Sequence, residues 1–376
     1  MSSRLDGVRE SPETDKTVPV IVVASMDPVL RQSFCAGSVL DLDAAVVVQH
    51  DLSVGRVEGA VRRVVMDRGG VVYDDEQRLE HACLACAVRE DLVPTVAHLA
   101  QYGRWRTVVV ALPVTADPQT VVSALNRASE EADLGPARVA GVVSLTDAGT
   151  LLHDLFGDDL LVERGSALGE IDRRSVGEAL ARQLECADLV GVTGSLDATV
   201  SAVVERLTPE ARAPVSWSDI AGAQLSSRRL PWAVARRRTD PLLVSGRELP
   251  DRDGVWTLDL RSSTPFHPGR LLARIEDLGC GRIRSRGHFW LPSRPDEICL
   301  WDGAGGQLSV GAYGFWGSRP PTTHLTYVGI DAADRDRIAD AFVETVLTRS
   351  ELRRLDSWSG RDDGFEPWLG GRRSAA

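Results

Sequence analysis

Short, unbroken apolar runs recur along this chain, and such a run is the pattern of a strand buried on both faces of a parallel sheet. Val18–Ala24 reads Val-Pro-Val-Ile-Val-Val-Ala, and comparable runs stand at Ala44–Val48, Thr107–Leu112, Val139–Leu145 and Asp188–Val192. Stretches with helical spacing lie between them at Asp91–Tyr102, Pro118–Ala132 and Arg174–Ala187. The alternation predicts an α/β domain over 18–214, a mostly parallel sheet with helices on both faces, after a flexible segment at 1–17. Residues 215–250 loosen into Pro, Ser and Arg and read as a connector. A smaller α+β unit is expected over 251–352, with strands at Val255–Leu260, Arg282–Leu291, Glu297–Leu300, Gln307–Tyr313 and Thr326–Ile330, helices at His267–Leu278 and Ala333–Leu347, and a tail at 353–376.

Charge and cysteine usage narrow the function classes. A net charge of −11 argues against a general grip on nucleic acid, so no DNA partner is expected, although Arg282, Arg284 and Arg286 share one face of a strand by period-two alternation. Exposed, that face would be a basic stripe able to touch RNA phosphates or an acidic partner. No run of about 18 apolar residues occurs and the first residues are polar, so the expectation is a cytoplasmic protein with no membrane partner. The six cysteines, Cys35, Cys83, Cys86, Cys186, Cys280 and Cys299, do not form a disulfide framework for a chain of this size, and only Cys83 and Cys86 are close enough to act together locally.

At His81-Ala-Cys-Leu-Ala-Cys-Ala-Val-Arg-Glu-Asp-Leu92 the chain resembles the CobW-like GTPase family of metal-insertion and metal-homeostasis proteins. A longer match is Gly281-Arg-Ile-Arg-Ser-Arg-Gly-His-Phe-Trp-Leu-Pro-Ser-Arg-Pro-Asp296, followed by Leu300-Trp301, Ala304-Gly305-Gly306 and Gly314-Phe315-Trp316, which looks like the family's C-terminal domain. Arg182-Gln-Leu-Glu-Cys-Ala-Asp-Leu-Val190 resembles the helix and strand that lead to the guanine-reading loop. The resemblance implies a P-loop-NTPase-like sheet followed by a smaller CobW-type α+β domain.

The chain departs from that family where nucleotide is held. A phosphate loop uses glycines to bring backbone N–H groups to phosphate and a lysine to reach the outer oxygens. Here the loop position reads Ala24-Ser-Met-Asp-Pro-Val-Leu-Arg-Gln32, and the one lysine of the chain is Lys16, ahead of the first strand. Asp27 puts negative charge where phosphate would sit. Thr193-Gly-Ser-Leu196 stands at the guanine-reading position without its aspartate, and Ala111, Leu112 and Pro113 replace the acidic and hydroxyl pair near the γ-phosphate. GTP is therefore not an expected cofactor, and the chain is not expected to be a competent GTPase. A residual GTPase using an arginine such as Arg31 stays as the least favoured alternative.

Cys83 and Cys86 read as a thiolate pair for zinc, with His81 as the nearest third ligand and Glu80 or a partner's side chain as a fourth. The start of the following helix is expected to favour their thiolate forms. Structural packing of two small hydrophobes, or a redox pair, remain open readings of the same residues. Cys186 and Cys299, like His288, Trp290, Trp301 and Trp316, are assigned to the core. The functional expectation is a zinc-homeostasis protein with a Cys-x-x-Cys metal loop. The alternative is a non-enzymatic adaptor of zinc starvation acting on a protein client or at the ribosome, the latter as in ribosome hibernation.

Overall fold

The computed structural model describes residues 17–52, 60–81, 83–169, 172–208, 213–220, 225–243, 249–358 and 360–371. The flexible segment expected at 1–17 lies, except for Thr17, outside the described residues.

The first sheet has eight strands in the order β4-β3-β2-β5-β1-β6-β7-β8. These are β1 (Val18–Ser25), β2 (Ala45–Asp51), β3 (Ala60–Asp67), β4 (Gly70–Arg78), β5 (Thr107–Ala111), β6 (Ala137–Asp147), β7 (Leu189–Thr193) and β8 (Val215–Ser216). From β2 to β8 every pairing is parallel, while β3 and β4 add an antiparallel hairpin at one edge. The apolar run in β1 has a direct reading. Val20 and Val22 join a core with Leu99 and Leu125 on one face, and Ile21 and Val23 join a core with Phe34 and Val39 on the other. A strand clad on both faces has no polar alternation to show.

Helix α1 (Pro28–Asp41) covers one face. On the other lie α4 (Pro118–Glu130) and a helical stretch built from α2 (Leu84–Ala87), a π-turn (Val88–Leu92) and α3 (Val93–Gln101). Pro94 falls inside that stretch and brings no N–H to the helical ladder, and the wider π register just before it accommodates the break. Further along come α5 (Leu151–Phe156), α6 (Val176–Cys186) and α7 (Ala198–Leu207), which pack around β7.

The second sheet is antiparallel throughout, in the order β12-β11-β10-β13-β9. Its strands are β9 (Trp256–Ser262), β10 (Ile283–Phe289), β11 (Glu297–Ala304), β12 (Gln307–Phe315) and β13 (Thr323–Gly329). One face is covered by the helices Pro268–Gly279 and Ala332–Thr345 around Phe266, Phe289, Trp301 and Tyr327. Phe365 of the tail is fully buried in that core, and Asp363 pairs with Arg294 where both side chains are buried, so the tail contributes to the second unit. His288, Trp290 and Trp316 are buried as well. The opposite face of β10 and β11 rests on α6 of the first unit. Gly305 adds a backbone contact between the units. It takes φ +61°, and a Cβ there would stand 2.0 Å from the carbonyl oxygen of Gly157, a space that only glycine leaves open.

The α/β architecture with an α+β second unit is the one expected. The basic stripe is not. Arg284 is buried and held by Glu185 of α6 and by Asp302, while Arg286 reaches Glu185 and the Arg238 carbonyl. Alternation places both residues on one face, as expected, but that face meets the first unit rather than solvent.

Candidate metal-binding turn and the start of helix one

The Cys-x-x-Cys segment lies at the first turn of the helical stretch that begins at Leu84. Cys83 is its N-cap, and its sulfur accepts from the Cys86 amide at 3.5 Å. Sequence spacing alone puts the two sulfurs on one turn, because a capping residue and the third helical residue face each other. The Cys83 amide in turn donates to the His81 carbonyl at 2.8 Å, curling the preceding chain back over the turn. His81 Nδ1 thereby stands 3.9 Å from Cys86 Sγ. His81 is exposed, Cys83 half-buried and Cys86 buried, so the turn opens to solvent through the imidazole.

A tetrahedral zinc with bonds of 2.0–2.3 Å sets its ligands about 3.5 Å apart. The His81 to Cys86 separation is within a few tenths of an ångström of that figure. The donors are not closed around a point, however. Among the described residues no three His, Cys, Asp or Glu side chains are arranged to hold an ion as they stand.

A carboxylate that sequence reading missed reaches the same turn. Glu90, four residues after Cys86, lies near enough for its charge to raise the Cys86 thiol, and its Oε2 accepts the Glu80 amide at 2.9 Å. Spacing of i and i+4 on a helix was the available signal. Glu80, the expected fourth donor, turns its carboxylate to Arg89 at 3.0 Å instead. Arg89 also lies 3.8 Å from Cys86 Sγ and 2.8 Å from Glu90. At Cys86 the surroundings act against the thiolate that the helix start was expected to favour. The Cys86 hydrogen bond with Cys83 pushes the thiol above its ordinary range.

The turn is anchored from behind. Asp91 in the π-turn accepts from Arg63 of β3 at 2.6 Å and pairs with His50 of β2 at 2.5 Å, with Asp91 and His50 both buried. The hairpin at the sheet edge thus holds the helix that carries the cysteines.

At the start of α1, every backbone donor is already taken or absent. Pro28 has no N–H, Val29 and Leu30 donate to the Asp27 carboxylate at 2.7 and 3.1 Å, and Arg31 donates to the Asp27 carbonyl at 3.0 Å. A helix N-terminus binds phosphate through those groups, so this one is filled by its own side chain. Arg31, the candidate substitute for lysine, is buried. Its guanidinium donates to the Leu112 carbonyl at 2.6 Å and to Asp51 at 2.9 Å. The start of α1 therefore offers phosphate neither the open amides nor the free cation of a phosphate loop. At the guanine-reading position Gly194 takes φ +78°, and no carboxylate belongs to Thr193–Leu196.

Among the described residues no helix is long and apolar enough to cross a membrane. Over 391 aligned residues the chain is 28% identical to "Zinc chaperone Rv0106" of Mycobacterium tuberculosis, with 93% of each chain covered. It is 21% identical over 296 residues to "Zinc-regulated GTPase metalloprotein activator 1" of Dictyostelium discoideum, covering 74% of this chain and 60% of that one. A structure of the Zn(II)-bound YjiA GTPase from E. coli aligns at a TM-score of 0.35 and 12% identity, covering 88% of this chain and 99% of that one. Residues 255–346 match the model of the cobalamin synthesis protein cobW C-terminal domain, so the second unit is similar to that domain.

Proposed function

We propose that this chain is a zinc-homeostasis protein that carries zinc as cargo at the turn of His81, Cys83 and Cys86, and does so without hydrolysing GTP. The observation that carries the reading is the approach of Cys86 to Cys83 and His81 at one solvent-facing turn, with the Glu90 carboxylate one helical turn further on. Two sulfurs, one imidazole and one carboxylate make a four-donor set of the kind zinc accepts. Small side-chain rotations at an open turn would close them on an ion, and a site closed only by the cargo suits a protein that must release it again. The relative named as a zinc chaperone, aligned over nearly the whole chain, supports zinc over other metals. The receiving partner is proposed to be a protein client. The ribosome reading, which drew on an exposed basic stripe and on the aromatic-rich second unit, loses the first of these supports, because Arg284 and Arg286 are engaged between the two units.

The self-capped start of α1 supports the absence of GTP turnover. The test is zinc titration against a chromophoric chelator, with metal content of the purified protein measured in parallel. One equivalent of zinc is expected in the wild type, lost in C83S/C86S and weakened in H81A and E90Q. Equal zinc in wild type and C83S/C86S would defeat the metal reading. Micromolar binding of GTP with magnesium in calorimetry would defeat the other half.

A further inference from the structure

A cavity of about 310 Å³ lies between the two units, and its walls come from both and from the segment joining them. Four guanidinium groups line it, those of Arg182, Arg236, Arg284 and Arg286, with the three carboxylates of Glu185, Asp240 and Asp302. Asp117 and Glu178 stand outside the lining, where the charge of each still reaches Arg182, and Asp117 also accepts the Gln119 amide at 2.8 Å.

The arginines differ in how fully they are used. Arg284 is saturated: Nε and one terminal nitrogen hold Glu185, and the other holds Asp302 and the carbonyls of Ser285 and Gly303. The remaining three each bond through a single nitrogen. Arg182 uses one terminal nitrogen for Asp302, Arg236 uses Nε for Asp240 at 3.1 Å, and Arg286 uses one terminal nitrogen for Glu185 and the Arg238 carbonyl. Each guanidinium carries five N–H donors in a planar fork. Among the described residues the other nitrogens of these three have no hydrogen-bond partner, and they converge on one concave space at a domain junction, where ligand sites concentrate. Charged donors that no protein group occupies, arriving at one concave space, are placed to meet an anion.

We propose that this cleft binds a phosphate group, free or carried on a small molecule, clamped by Arg182 of the first unit, Arg236 of the connector and Arg286 of the second. A tetrahedral oxyanion presents acceptors in several directions at once, which suits three forks arriving from three elements. Because the clamp spans both units, binding ties them together and raises the unfolding temperature of the whole chain. The site is separate from the cysteine turn and does not depend on the zinc reading.

The experiment is thermal unfolding and calorimetry of the full chain with inorganic phosphate and with glycerol 3-phosphate, against chloride at matched ionic strength. Both the wild-type stabilisation and its weakening by about tenfold or more in R236Q and R286Q are expected, since each removes a charge-assisted hydrogen bond. Arg236 is half-exposed with a single carboxylate partner, so R236Q keeps the test decisive should R286Q fail to fold. Tighter binding of glycerol 3-phosphate assigns the site to a phosphate ester, and preference for inorganic phosphate assigns it to the free ion. Stabilisation no greater than that by chloride, or undiminished in both variants, overturns the proposal.

Discussion

Arg284 of the second sheet and Glu185 of α6 form a bidentate pair across 99 residues of sequence, with Nε–Oε1 2.8 Å and a terminal nitrogen to Oε2 at 3.0 Å. Both side chains are 2% exposed. Burial alone would raise the Glu185 carboxyl, but the Arg284 and Arg286 guanidinium groups outweigh it and hold it below the usual carboxylate range. Removing one partner strands a charge in a buried junction. E185Q is therefore expected to lose about 3–5 kcal/mol of stability, as broken buried pairs do. R284M should lose a comparable amount, and E185Q/R284M less than the sum of the two. Urea unfolding of the three variants checks this, and an E185Q variant as stable as wild type would show that the pair does not hold the units together.

Asp27 is an N-cap before it is anything else. Its carboxylate satisfies two amides of α1, so D27A is expected to cost about 1 kcal/mol while D27N keeps most of that stability. Opening the helix start is not expected to create a nucleotide site, because Arg31 remains tied to Leu112 and Asp51 and no lysine follows β1. Calorimetry of D27A with GTP and magnesium should stay silent. Heat at micromolar nucleotide would mean that Asp27 alone was the barrier.

How much of this was legible in the sequence differs from element to element, for physical reasons. Val18–Ala24 announced β1 because both of its faces are buried. The hairpin of β3 and β4 stayed hidden because β4 is exposed along nearly its whole length and is held by cross-strand ion pairs, Arg62 with Asp74 and Arg63 with Asp75, instead of an apolar face. Period-two spacing grouped Arg284 with Arg286 correctly, but whether a face meets water or another unit is not a property of the strand that carries it. The cysteine turn was readable from its spacing. Glu90 was not chosen over Glu80, because that choice depends on the helix beginning at Leu84 rather than at the Asp91 start read from periodicity.

Acid should weaken the second unit through Glu351. Its carboxyl is held down to about 2, first by the hydrogen bonds from Arg270 at 2.9 Å and also by its place in the Thr348 capping box. A carboxylate depressed on folding contributes fully above its unfolded value near 4.5, and that contribution drains away as pH falls toward 2. Unfolding midpoints measured from pH 6 down to pH 3 should therefore fall more steeply for wild type than for E351Q. Parallel curves for the two proteins would show that this contact carries no pH dependence.

Thiol accessibility separates the cysteine turn from the rest of the molecule. Cys35 is fully buried, and burial pushes its thiol up to about 12, which leaves about one part in 10⁴ as thiolate at pH 8. Burial likewise raises Cys186 and Cys299, so all three should resist iodoacetamide in the native protein. Cys83 and Cys280 are half-exposed and should be alkylated, with Cys86 reacting more slowly from its buried position. Zinc is the discriminating addition. If the turn closes on the ion, zinc protects Cys83 and Cys86 while leaving Cys280, whose thiol donates to the Gly306 carbonyl, as reactive as before. Peptide mass mapping after timed labelling reads all six positions at once. Protection that spreads equally to Cys280, or a Cys83 whose labelling ignores zinc, would mean that the metal is held elsewhere.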